Sequence, residues 1–436
     1  MEEIKLVSFK TGNTAVVKAK EEFLELTARQ QILDLLDLPE LKNTKIVFQP
    51  DVHAGKGATI GTTIKFNSLK EAQINPQWVG NDISCGLTSV RIGKVNDVPM
   101  DFNKLDELAK TLNEPAGLRR EKNTKGFSTN LWKRIGRVSS GNHFMSVDIM
   151  DDYYWVTVHN GSLSLGQDIY KKWVNISENK KTNTYDIIEV LKEQGKNKYI
   201  QPVLELVKEL DSKESDGILK DIDDLEGYLE DIERCEQYAF ENRLIVIQRV
   251  LRAIYDINNY DEWEIKDGKL TLLRTNLGGQ YCHSSLKDLP IMNSPHNYIK
   301  LRDNGEIVVH KGACSAELGE DVLIPINMRD GIIVGKGKGN EEWNYAAPHG
   351  AGRMMSRTQA KQNIKVDDYL EQMKDVRSVS INEKTLDEAP DAYKPLDYIL
   401  EQIQDTVEVT GIMKPIYNFK VAEEEPHWKR KKKYTI

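Results

Sequence analysis

The spacing of apolar residues divides this chain into regions of different periodicity. The first forty residues read as a short strand hairpin followed by a helix. Ala28 to Leu38 places Ile32, Leu33, Leu35, Leu36 and Leu38 on one broad apolar face, and Pro39 stops it. From Lys45 the pattern becomes short β-branched or aromatic runs separated by glycine-containing turns. KIVFQ (45–49), LTSVRI (87–92), YYWVTV (153–158), EIVVH (306–310) and GIIVG (331–335) predict strands of a mixed sheet. Between about 170 and 255 the chain is charged, poor in glycine and helical in period. Ile187, Ile188, Val190 and Leu191, then Val203, Leu204, Leu206, Val207 and Leu210, recur at amphipathic spacing, and a second stretch runs from Ile218 to Ile254. This predicts a helical insertion packed on the sheet. The strand pattern resumes after Trp263, and DYILEQIQDTVEVTGIMKPI (397–416) reads as a further amphipathic helix and turn.

Length and composition narrow the class. At 436 residues the chain has room for one large domain or two to three ordinary ones, and 39% hydrophobic with 29% charged residues is a globular balance. No run approaches the roughly 18 to 20 apolar residues of a membrane span. The start lacks a basic and then apolar leader or a lipidation motif, so a cytoplasmic location is the default expectation. The 60 Lys+Arg against 68 Asp+Glu give a formal charge of −8, which excludes a uniformly basic nucleic-acid binder but leaves room for a local basic groove. Cys85, Cys235, Cys282 and Cys314 are too few and too scattered for a disulfide framework or a paired zinc motif. No P-loop, dinucleotide-binding GxGxxG or HExxH motif is present.

The chemistry concentrates in glycine- and asparagine-rich segments that carry a histidine or a thiol. They are PDVHAGKGATIG (50–61), VGNDISCGL (79–87), SGNHF (140–144), VHNGSLSLG (158–166), SPHNYI (294–299), HKGA (310–313) and APHGAGR (347–353). A histidine beside glycine is ordinarily a turn residue. Here six of the eight histidines, all but His283 and His427, fall in such segments, where a backbone without bulky side chains can approach a phosphate or a metal. Asp82 and Cys85 set a hard oxygen and a soft sulfur three positions apart, a pair that can ligate one metal or bridge two. Imidazole with carboxylate suits Mn, Zn or Fe, and the residues alone do not choose among them.

These blocks in this order, with LIPINM (323–328), PHGAGRMMSR (348–357) and DEAPDAYKP (387–395), resemble the RtcB family of RNA ligases from about Val47 to Lys420. The resemblance, with the strand-and-loop pattern, implies an α+β fold over residues 1–436. This would be a single large domain of layered mixed sheets around a central metal cleft, with a helical insertion at 170–255 and a basic C-terminal tail at 421–436. It implies a GTP- and Mn²⁺-dependent ligase joining RNA 3′-phosphate or 2′,3′-cyclic phosphate ends to 5′-hydroxyl ends, in RNA repair or tRNA splicing, with an archease-like protein as an activating partner. By matching position, His349 is the nucleophile that becomes guanylylated. Asp82, Cys85 and His143 hold one Mn²⁺, and Cys85, His159 and His296 hold the second. The nucleotide contacts fall on Asn142, His143, Ser146, His296, Asn297, Pro325, Asn327, Met328, Gly350, Ala351, Gly352, Tyr393 and Lys420.

The sequence departs from the family at several contacts. Leu163 stands where an arginine faces phosphate, Ser146 where a glutamate helps recognise guanine, Asn327 where a serine is usual, and Ser84 where DIGCG has its glycine. Arg329 or Lys56 would compensate for the missing arginine. Two other readings keep the metal residues: a nucleic-acid end-binding or sensing protein, and an end-capping guanylyltransferase or cyclic phosphodiesterase. The basic run Lys429 to Lys433 is either solvated or guides RNA electrostatically.

Overall fold

The computed structural model describes residues 3–116, 129–178, 191–192, 194–211, 217–256, 262–276, 279–281 and 284–422. The tail Lys429–Lys433, Cys282 and the apolar positions Ile187, Ile188 and Val190 lie outside the described residues.

Sixteen strands are described: β1 (Ile4–Val7), β2 (Thr14–Val17), β3 (Lys45–His53), β4 (Ile60–Phe66), β5 (Gly86–Lys94), β6 (Phe144–Met150), β7 (Tyr153–Asn160), β8 (Glu262–Lys266), β9 (Lys269–Asn276), β10 (Gly279–Tyr281), β11 (Leu289–Leu301), β12 (Ile307–Ser315), β13 (Asp321–Asn327), β14 (Gly331–Gly337), β15 (Ala346–Pro348) and β16 (Val407–Lys420). Twelve form one path in the order β1-β2-β3-β4-β12-β11-β5-β7-β6-β16-β14-β13. The β2–β3 pair is parallel and its neighbours are antiparallel, so the sheet is mixed and the fold is α+β in one domain. All five runs expected to be strands are strands, and the predicted first helix is Leu26–Leu36. The segment read as a C-terminal helix and turn is corrected in its second half. A short helix, Leu396–Gln402, gives way to the 14-residue β16, whose VEVTGIMKPIYNFK pairs along both edges.

Strand alternation decides what each face of the central sheet carries. On one face Val90 of β5, Met145 and Val147 of β6, and Val156 and Val158 of β7 pack against Leu244, Ile247, Val250, Leu251 and Ile254 of the long helix Ile222–Tyr255. On the other, Leu87, Phe144 and Trp155 meet Leu323, Ile332, Val334 and Met413, where the β13–β14 end of the sheet curls over. A cleft lies on this second side.

The long helix packs on the sheet, and its second half is enclosed by the rest of the protein as well. Asp221 caps its start by accepting from the backbone N–H of Asp223 and Asp224 (2.9 and 3.4 Å), with acidic residues in the first turn as the helix dipole favours. Its second half is core: nine of the ten residues from Glu241 to Val250 are buried, a helix surrounded by protein on all sides. Arg243, 1% exposed, donates to Thr88 Oγ1 (2.8 Å), the Asn160 carbonyl (2.8 Å), the Ser84 carbonyl (3.3 Å) and Asn293 Oδ1 (3.2 Å). One guanidinium therefore ties β5, β7 and β11 together beneath the cleft. Burial lowers its pKa to about 10, still far above neutrality, so it remains a cation.

Replacing Arg243 with Met fills the same space without the donors and strands two buried carbonyls. We expect Arg243→Met to lower unfolding free energy by about 3 kcal/mol in equilibrium denaturation. An unchanged midpoint and slope would show that these carbonyls find other partners.

Candidate active site

The cleft is a cavity of about 660 Å³ that takes residues from nearly every histidine-bearing segment. Its centre is Cys85. The thiol reaches the cleft at the end of the Asp82–Cys85 turn, where the Cys85 N–H donates to the Asp82 carbonyl (3.3 Å). Ser84 in that turn has φ +57°, the left-handed region that glycine enters without steric cost, so the serine there is strained.

Two imidazole nitrogens converge on the sulfur: His143 Nε2 and His159 Nε2 each lie 3.1 Å from Cys85 Sγ. His143 Nε2 is also 2.9 Å from Asp82 Oδ2, and His159 Nε2 is 3.2 Å from His296 Nε2. The five residues thus form two donor groups that share the sulfur, Asp82–His143 on one side and His159–His296 on the other. The register explains the meeting. Leu87 pairs with His159, Phe144 pairs with His159 from the other edge, and Pro295 pairs with Gly86, so neighbouring strands deliver successive ligand atoms. Ser139 Oγ holds His143 through Nδ1 and turns its Nε2 toward the thiol.

Nitrogen, sulfur and carboxylate atoms crowded within 2.9 to 3.2 Å of one another have the donor chemistry of a metal site, and this donor set fits one. Cys85, His143 and His159 hold their donor atoms within 4.8 Å of one another. Burial and the neighbouring imidazoles push His159 and His296 well below the usual histidine range, so their rings are neutral and their lone pairs free. Burial and the Asp82 carboxylate push the Cys85 thiol up, so its ionisation calls for a cation.

His349 stands beside this cluster, its ring centroid 4.8 Å from that of His296. Its Nδ1 is 2.7 Å from Oδ2 of Asp51, a fully buried carboxylate. A carboxylate there accepts the Nδ1 proton and leaves the Nε2 lone pair available. The glycine loop that carries His349 is fixed against β3. Gly352 has φ +72°, and a Cβ on it would come 2.4 Å from the Asp51 carbonyl, so only glycine allows this approach. Lys394 clamps the same strand by donating to the carbonyls of Pro50 (2.9 Å) and Val52 (3.1 Å).

The remaining sequence-derived residues separate by what their side chains already do. Asn142, Ser146, Pro325, Asn327, Met328, Gly350, Ala351, Gly352, Tyr393 and Lys420 all line the cavity. Asn297 does too, but its amide is engaged: Nδ2 donates to the Asp82 carbonyl (3.2 Å) and Oδ1 accepts from Gly312 N–H (2.7 Å). Asn327 closes its own loop through Asp330 (2.7 Å), and Met328 is buried against the Tyr369 hydroxyl. Of the two cations expected to replace the missing arginine, Lys56 lines the cavity. Arg329 does not, being held by Asp330 at 2.8 and 2.9 Å. Leu163, also at positive φ (+55°), packs in the apolar core under the first helix turn and does not face the cavity. His310 is not part of the cluster: it stacks on Tyr298 (4.8 Å), while its neighbour Lys311 points to the cavity, as alternation along β12 requires.

Three groups escaped the sequence reading. Asp51 stands two positions before His53, on the same face of an extended strand, and that spacing was the available signal. Arg243 lies in a helix with no motif. Glu388, 3% exposed, accepts from Arg353 (2.7 Å), from the Tyr393 hydroxyl (2.6 Å) and from Lys420, and so positions two of the expected base contacts. Burial opposes its charge, but Lys420, Arg353 and Arg357 outweigh burial and hold the carboxyl down to about 2.

A family model described as "tRNA-splicing ligase RtcB" matches residues 31–131 and 116–421. The chain is 26% identical to "RNA-splicing ligase RtcB" of Escherichia coli strain K12, over 90% of this chain and 94% of that protein. It is 24% identical to "tRNA-splicing ligase RtcB" of Nanoarchaeum equitans, over 93% and 92%. It is 23% identical to the protein of that name from Thermococcus kodakarensis, over 86% and 87%.

Co²⁺ added to the metal-free protein should give a thiolate-to-cobalt charge-transfer band that disappears in Cys85→Ser. A folded wild-type chain that takes up neither Co²⁺ nor Mn²⁺ would rule out the metal site. Glu388 gives a pH signature. Its folded pKa lies below the unfolded value of about 4.3, so its stabilisation is complete above that pH and is lost as pH falls toward 2. Glu388→Gln should therefore cost up to about 3 kcal/mol at neutral pH, with the gap to wild type narrowing between pH 5 and 2 in acid titrations of stability.

Proposed function

The chain belongs to the RtcB family, and from that premise we propose that it is a GTP-dependent RNA ligase joining 3′-phosphate or 2′,3′-cyclic phosphate ends to 5′-hydroxyl ends. One observation carries the reading: a histidine with its Nδ1 on a buried carboxylate, Asp51, opens its other nitrogen into the cavity that holds the Cys85-centred donor cluster.

In this reading Asp51 accepts the Nδ1–H of His349, so the ring is oriented and Nε2 is the nitrogen left to act. Nε2 attacks the α-phosphorus of GTP, an N–P bond forms, and the bond to pyrophosphate breaks. GMP then passes to the RNA 3′-phosphate, and the 5′-hydroxyl attacks that activated end and expels GMP. Asp82, Cys85 and His143 would hold one Mn²⁺, and Cys85, His159 and His296 a second. Bound cations of this kind supply charge neutralisation for the triphosphate and the RNA ends. Lys56 at the cavity wall adds positive charge, which a chain of net charge −8 needs locally to receive a polyanion, and beside it Lys311, held by the Lys56 and Gln77 carbonyls, has its pKa lowered to about 8 by burial. Tyr393 offers an aromatic face to the base. The same reading places the work in RNA repair or tRNA splicing, with an archease-like activator as partner.

Labelled GTP with Mn²⁺ should leave a covalent GMP adduct on the wild-type chain and none on His349→Ala. Asp51→Asn should slow adduct formation by roughly a hundredfold or more through the wrong tautomer. Joining of 3′-phosphate and 5′-hydroxyl RNA by the wild-type chain completes the test. An adduct without joining would turn the reading to end capping, and no adduct with any divalent metal would sink it.

A further inference from the structure

The floor of the cavity away from the thiol cluster is made by two paired strands. Phe144, Ser146 and Asp148 alternate along β6 and face the cavity, and across from them Lys420 pairs with Phe144 and Asn418 with Ser146. A register shift between Pro415 and Tyr417 on β16 opens the pairing beside Asp148.

Asp148 is the unusual member of this row. It is 1% exposed and, among the described residues, makes no ion pair. Its carboxyl rests on neutral hydroxyls, accepting from Ser146 Oγ at 2.8 Å with Thr157 beside it. Burial with no compensating cation pushes this carboxyl up to about 7. Opposite and one step along, Asn418 is 4% exposed, and its Oδ1 is buried with no hydrogen-bond partner. A buried acceptor left unsatisfied is costly, and Asn418 Oδ1 is one, beside a carboxyl that accepts from Ser146, with both residues lining the same wall of the cavity. At the end of the same row Lys420 sits 5.7 Å over the Phe144 ring, giving a flat, cation-edged end wall.

Resting on the nucleotide reading of this cavity, we infer that Asp148, with Asn418, is the base-reading pair of this chain. The pair takes a planar heterocycle that presents two adjacent N–H donors, the N1–H and 2-amino edge of guanine. Against the ionised carboxylate, adenine offers an acceptor at N1 next to its 6-amino group, which sets lone pair against lone pair on this wall, so the discrimination is read above pH 7. Inosine keeps N1–H and lacks the 2-amino donor, so it falls between the two. Ser146 supports the carboxyl from two positions away on the same strand face and leaves room for the base above it.

The test is equilibrium binding of GTP, ITP and ATP to the full chain by displacement of a fluorescent nucleotide, with thermal unfolding as the check of folding. Wild type should bind GTP tightest, ITP next and ATP weakest. Asp148→Asn should lose roughly tenfold to a hundredfold in GTP affinity with ATP little changed, as expected for one charge-assisted hydrogen bond. Asn418→Ala, read the same way, covers the case in which Asp148→Asn does not fold, and should narrow the GTP-to-ITP ratio. A folded Asp148→Asn with the wild-type order and ratios overturns the inference. So does a wild type that binds the three nucleotides equally, even if it forms the His349 adduct. Binding with the expected order but without an adduct upholds base reading and removes the transfer chemistry instead.

Discussion

The arrangement turns on one crowded point, the sulfur of Cys85, with imidazole nitrogens 3.1 Å away on two sides. Neutral donors do not gather so closely for their own sake: their lone pairs repel, and each has left water to be there. The surrounding protein has to hold them. It does so by building the wall from adjacent strands, β5, β6, β7 and β11, so that ligand spacing is set by strand spacing and by register. Arg243 then locks three of those strands from below. A one-residue slip in any of them would turn a ligand to the opposite face, into the apolar layer under the long helix.

How much of this the sequence discloses depends on whether the information is local. The short runs at 45–49, 87–92, 153–158, 306–310 and 331–335 carry β-branched residues between glycine turns, and all became strands. The cluster was legible because its members lie in short polar motifs whose order could be matched block by block. Asp51 was not, since its partner is 298 residues away and its spacing from His53 alone does not mark the carboxylate as buried. Glu388 and Arg243 were hidden for the same reason: each acts by satisfying groups brought to it by the fold. The error at β16 was one of period. VEVT alternates, but it follows a helical stretch without a glycine or proline between them, and the helical reading ran on.

The departures from the family pattern also acquire physical content. Ser84 and Leu163 both occupy the left-handed region, and Leu163 turns inward to the core. The strain at these turns is borne by neighbours that over-determine them, Arg243 and Asn297 around Ser84 and the apolar cluster around Leu163. Ser146 does not leave a gap, because it donates to Asp148 on the same face of β6. Substitution has rearranged the polar wall of the cavity while the donor cluster beside it keeps all of its atoms.

The contact between Asp51 and His349 also bears on how the molecule comes into being. It joins strand β3 near the beginning of the chain to a loop near its end, and Lys420, on the last described strand, closes the same cavity. Pairings of such long sequence separation form late, because loop closure must precede any energetic return. During synthesis the early strands can gather Cys85, His143 and His159 while His349 has not left the ribosome. A nascent or truncated chain therefore lacks the Asp51–His349 pair, which arrives only with completed folding.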